Sequence, residues 1–156
     1  MCIEMLNVIK ERNEMKKLTS FLSILLVILI FSNYVFADDP IEYKLAVIDA
    51  GGYVPKDHIS VARFRSLLNQ LSKTYIENSQ EIADISVIAQ NLLRQDGINE
   101  SIKNIMEGLN VLFSVPVENQ KYAEYAASYV TLRGKGYSHL EAINGLKAIL
   151  KSMDIF

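Results

Sequence analysis

Val61, Phe64, Leu68, Leu71 and Tyr75 recur at intervals of three and four residues, with Leu67 beside them. That spacing puts one continuous apolar stripe on a helix running from Asp57 to about Tyr75, and a stripe of this kind must be buried against other elements. The same period returns in segment after segment, separated by short breakers, and it constrains the chain more than any other feature.

The neighbouring segments follow the same logic. Asp39-Pro40-Ile41-Glu42 reads as a helix start, with Asp39 as N-cap and Pro40 at the first helical position. Gly51-Gly52 ends that helix. Asn78-Ser79-Gln80-Glu81 has capping-box spacing and opens a helix to about Gln95 that is lined by Ile82, Ile85, Ile88, Ala89 and Leu92. Gly97 ends it, and Asn99 is expected to cap a fourth helix carrying Ile102, Ile105, Met106 and Leu109. Pro116 breaks the chain. A fifth helix is expected from about Glu118 to Arg133. Ser138-His139-Leu140-Glu141 is a full capping box for a sixth, carrying Leu140, Ile143, Leu146 and Leu150. Connections of a few residues imply antiparallel neighbours. The expected fold is all-α: a compact bundle of five or six antiparallel amphipathic helices, forming a single domain over residues 38–156.

The segment before this domain has a different character. Lys16 and Lys17 precede an apolar run over residues 18–31, and Val35-Phe36-Ala37 places small or modest residues before Asp38. A basic start, an apolar core and a small-residue cut site are the pattern of a secretory signal peptide. Residues 15–37 are therefore expected to be a cleaved leader, with the mature chain starting at Asp38. The alternative is an inner-membrane anchor through residues 18–37, which reaches the necessary ~20 residues only by including Asn33 and the serines. Residues 1–14 read as a misassigned start or a short tail.

Charge and cysteine content narrow the function. Residues 38–156 hold 12 basic and 15 acidic side chains, a net of −3, with no basic face, which argues against nucleic acid as a partner. Membrane contact is expected only through the N-terminal segment, if it is not cleaved. The one cysteine, Cys2, lies outside the expected mature chain. That suits an oxidising compartment and removes thiol catalysis from the domain. The leader style and the lysine, isoleucine and asparagine bias look bacterial, so the expected location is periplasmic or secreted.

No catalytic residue, metal ligand or cofactor site is expected. His58 and His139 read as solvated helix-end residues, and Ser138 beside His139 diverges from it, whereas a nucleophile and its base converge. Gly51-Gly52 and Gly134-x-Gly136 lack the context of a phosphate loop. The carboxylates read as scattered over exposed helix faces. "TLRGKGYSHLEAINGL" has helix–turn–helix spacing, but export and the acidic balance argue for a plain helical hairpin. Asn99-Glu100-Ser101 matches a glycosylation sequon that has no meaning in a bacterial envelope.

The candidate surface is aromatic. Tyr122, Tyr125 and Tyr129 share one side of the fifth helix, and Ala123, Ala126, Ala127 and Val130 share the other. The tyrosines are either packing at the edge of the core or a recognition face, and the alanines would let another helix approach closely. The expected function is that of an exported, non-catalytic helical protein, an interaction module of the bacterial cell envelope that binds another envelope or secreted protein. The alternative is a carrier of an apolar small ligand or lipid held between helices.

Overall fold

The structure is a computed structural model, and it describes residues 39–113, 117 and 119–153. The expected leader at 15–37, the segment before it and the break at Pro116 lie outside the described residues. From Pro40 onward the chain forms one compact unit.

Six helices make up this unit among the described residues, which contain no strand: α1 (Ile41–Ala50), α2 (Ile59–Thr74), α3 (Ser79–Gln95), α4 (Ile102–Asn110), α5 (Tyr122–Gly134) and α6 (His139–Ser152). The all-α expectation holds, with all six helices present. None of the described helices is long and apolar enough to cross a membrane.

Local sequence sets several of the ends. Both capping boxes form: Asn78 and Glu81 close the start of α3, and Ser138 and Glu141 close the start of α6. The two hydrogen bonds from Ser138 hold the Glu141 carboxyl below the usual carboxylate range. Other starts shift by a residue or two. Pro40, not Asp39, occupies the cap of α1; His58, not Asp57, caps α2 through its ring; Ser101, not Asn99, caps α4.

Two caps come from far away in sequence. The Lys121 side chain does not cap α5. Instead the Glu77 carboxylate accepts the backbone N–H groups of Tyr122 and Ala123 at 2.8 and 3.1 Å. The Asp49 carboxylate at the end of α1 likewise accepts the N–H of Ile102 at the start of α4. A carboxylate at a helix N-terminus satisfies orphan donors and complements the helix dipole. These two contacts tie the helix ends together across the fold.

The short helix α4 is the centre of the bundle and packs against every other helix. Ile102, Ile105, Met106 and Leu109 on it are fully buried, together with Phe64, Leu67 and Leu71 of α2 and Ile82 and Leu93 of α3. Helices α3 and α5, which are not consecutive, lie side by side and run in the same direction: Ser86, midway along α3, meets Tyr122 at the start of α5, and Asp96 meets Gly134 where both end.

Gly108 on α4 marks the tightest approach. A Cβ there would stand 2.7 Å from Cδ1 of Ile143 and 2.9 Å from Cε1 of His139. Alanine normally stabilises a helix by about 1 kcal/mol over glycine, but overpacking costs about 1–3 kcal/mol. Gly108→Ala is therefore expected to lower the stability by about 1 kcal/mol, read from urea unfolding. A more stable variant would show that α6 gives way freely.

Candidate functional site

The tyrosine stripe turns inward. Tyr122 and Tyr129 are both 0 % exposed, and Tyr125 is half-buried. The three do not form one outward face; they are packing, the first of the two readings that the sequence allows. Tyr75, Phe113, Tyr122 and Tyr125 make an aromatic cluster, with ring centroids 5.2 Å apart for Tyr75 and Tyr122 and 5.3 Å apart for Phe113 and Tyr125, both edge-to-face. Each buried hydroxyl has a partner. Tyr75 donates to the carbonyl of Leu109 at 2.8 Å. The Ser86 hydroxyl donates to the carbonyl of Ile82, so Tyr122 donates to Ser86 at 2.8 Å. Burial is the main cause that pushes the Tyr75 and Tyr122 hydroxyls above the ordinary phenol range, so both stay neutral donors.

The alanine side of α5 faces out. Ala123 and Ala127 are exposed there, next to Ile88 and Leu92 of α3, which are 58 % and 43 % exposed. Between the two helices lies an open groove of about 230 Å³ whose floor and walls are aliphatic: Ile85, Ile88 and Leu92 on one side, Ala126, Ala127 and Val130 on the other. The physical cause is in the sequence. Small side chains on α5 leave a trough, and branched side chains on α3 stand beside it as a ridge. A second, polar depression along α2, near Arg65, Asn69 and Lys73, brings no converging chemistry together.

The main charged cluster is buried. Glu100, only 6 % exposed, sits in the turn before α4. Its carboxylate meets the Arg133 guanidinium at 3.2 Å, the Tyr129 hydroxyl at 3.2 Å and the Asn104 amide at 2.9 Å. The Gln90 amide donates to its backbone carbonyl at 3.0 Å. Tyr129 also lies 2.8 Å from Nδ1 of His139. Tyrosine has one proton, and it goes to the acceptor-only carboxylate. His139 then donates from Nδ1 to the hydroxyl oxygen. Burial first, then the Glu100 charge, raises the Tyr129 hydroxyl above the ordinary phenol range and keeps it a donor.

Sequence reasoning missed this cluster. It placed His139 in solvent and the carboxylates on exposed faces, whereas His139 is half-buried on Tyr129 and Glu100 is inside. A signal exists in hindsight: Tyr129 and Arg133 are one turn apart on α5, but the pairing of Arg133 with Glu100 is a tertiary contact that spacing alone does not show. The arrangement is not a nucleophilic triad. The hydroxyl lies between the acid and the imidazole rather than at the end of the chain, and Tyr129 is sealed from solvent. Among the described residues no group of three His, Cys, Asp or Glu side chains could hold a metal ion. His58, by contrast, is exposed, and its ring bonds locally, to Ser60.

No curated protein and no solved structure matches the chain. A family model described as MoxZ matches residues 53–150, which hold α2 to α6, the groove and the Glu100 cluster.

Proposed function

The chain belongs to the MoxZ family, and we propose that its helical domain is a non-catalytic docking module of the bacterial cell envelope. Its α3/α5 groove receives the apolar stripe of a helix from a partner protein. The observation that carries this reading is the groove itself: Ile88 and Leu92 stand exposed beside a trough of alanines. Helix-in-groove recognition uses this geometry, because small residues let a second helix approach and branched residues fill the gaps between its side chains. The polar side chains that elsewhere could do chemistry are bonded to one another around Glu100. Export is supported by the leader pattern at residues 15–37.

The carrier alternative is less well supported. Small-molecule sites enclose about 300–1,000 Å³, and this groove is smaller and open along its length.

The test is capture of an envelope partner by the tagged full chain and by three variants. Ile88→Asp and Ala127→Glu put charges on exposed positions of the groove, and each is expected to weaken capture tenfold or more, as loss of an interface anchor of about 2 kcal/mol does. Ile149→Asp, on the exposed face of α6, should leave capture unchanged. All three should melt like the parent chain. Equal capture by parent and groove variants would remove the groove from the function.

A further inference from the structure

The face that α3 and α5 share is part hollow and part ridge. Ala123 and Ala127 of α5 lie in the hollow, and Ile88 and Leu92 of α3 stand exposed along its side. A lone helix laid in the hollow would cover the alanines and leave the outer flanks of Ile88 and Leu92 in water. Both are covered at once by a surface that sets a ridge against the hollow and a hollow against the ridge. This face is itself such a surface.

Resting on the docking reading above, we propose that the helix received by the groove is α3 of a second copy of this chain, so that two copies form a symmetric dimer through their α3/α5 faces. A two-fold axis running along the groove exchanges left and right and keeps each residue at its own level. It sets α3 of each copy over α5 of the other. The levels agree. α3 contributes residues 85 to 92 to the groove and α5 residues 123 to 130, so Ala127 lies between the levels of Ile88 and Leu92. These two branched side chains of one copy straddle Ala127 of the other, and the contact occurs twice, as ridges fit into grooves between helices.

Charge and extent both favour a second copy. None of the described residues lining the groove is charged. A charge there would meet its own like across the axis, and an aliphatic face avoids that repulsion. α3 has 17 residues, or a length of about 25 Å, and two helices side by side are about 20 Å wide. Such a face covers roughly 500 Å² per copy, or about 1,000 Å² in all, the lower edge of specific protein contacts. The dimer is therefore weak, with a dissociation constant on the order of 10 μM. An anionic membrane is the poorer occupant, since it attracts basic clusters and no basic residue lines the groove.

Sedimentation equilibrium of the full chain reads the dimer directly. The parent chain is expected to pass from monomer to dimer between about 1 and 100 μM. Ile88→Asp and Ala127→Glu should each weaken the dimer tenfold or more while melting like the parent, which tells it apart from association through the apolar run at residues 18–31. Crosslinking reads the axis. With Cys2→Ser in every chain, Ile88→Cys chains mixed with Ala127→Cys chains should join through a short bismaleimide several-fold faster than either joins to itself. A chain that stays monomeric through this range, a dimer that Ile88→Asp leaves intact, or faster joining of Ile88→Cys chains to one another overturns the proposal. A monomeric chain that still captures a different envelope protein, or binds anionic vesicles, in a manner lost with Ile88→Asp would also overturn it; the first result leaves the docking reading standing. If neither self-association nor capture depends on Ile88 and Ala127, both readings fall.

Discussion

Tyr122→Ala is expected to cost about 3–5 kcal/mol of stability, as truncation of a large buried aromatic does. The ring is fully buried, stacks edge-on against Tyr75 and donates a hydrogen bond to Ser86. Removing it opens a cavity where α2, α3 and α5 meet. Tyr122→Phe keeps the ring and loses only the hydrogen bond, so about 1 kcal/mol is expected. Urea unfolding of both variants measures the two parts. For a domain whose whole stability is of the order of 5–15 kcal/mol, the alanine variant should melt far below its parent. Tyr125→Ala should cost less, since that ring is half-buried. A Tyr122→Ala variant with a parent-like melt would mean that the residue faces outward, and would restore the tyrosine stripe as a surface.

The contrast between the two sides of α5 shows what the sequence could and could not reveal. Spacing of three and four residues correctly puts Tyr122, Tyr125 and Tyr129 on one side and the alanines on the other. It does not say which side is inside. Tyrosine is amphipathic and alanine is nearly indifferent to burial, so neither composition fixes the orientation. Tertiary bonds decide it: the Tyr122 and Tyr129 hydroxyls find Ser86 and Glu100, and Ala123 and Ala127 are left to face solvent while Ala126 is buried. The helices themselves were far more legible, because apolar stripes and capping boxes at Asn78 and Ser138 act locally. The caps supplied by Glu77 and Asp49 were not, since a carboxylate 45 or 53 residues away leaves no local trace. The same holds for His139. As the first residue of α6 it reads as solvated, and only the approach of α5 brings Tyr129 to its ring.

Glu100→Ala is expected to be comparably severe, at about 3–5 kcal/mol, for a different reason. The pair of Glu100 and Arg133 is mostly buried, with the two side chains 7 % and 13 % exposed. Two charges in such a site offset much of each other's desolvation cost, so their net contribution to stability is small. Removal of one leaves the other as an uncompensated buried charge. Arg133 would then keep its guanidinium near the Tyr129 ring without the Glu100 carboxylate, and its Nε has no hydrogen-bond partner among the described residues. The Asn104 amide would lose its acceptor too. Removing the second charge should therefore repair part of the damage. Glu100→Ala with Arg133→Met is expected to be more stable than Glu100→Ala alone by about 1–3 kcal/mol, within the usual range of coupling between residues in one network. Unfolding free energies of the two singles and the double complete the cycle. Additive losses would show that water reaches Arg133 freely, and that the cluster around Glu100 is a solvated surface pair rather than a closed internal network.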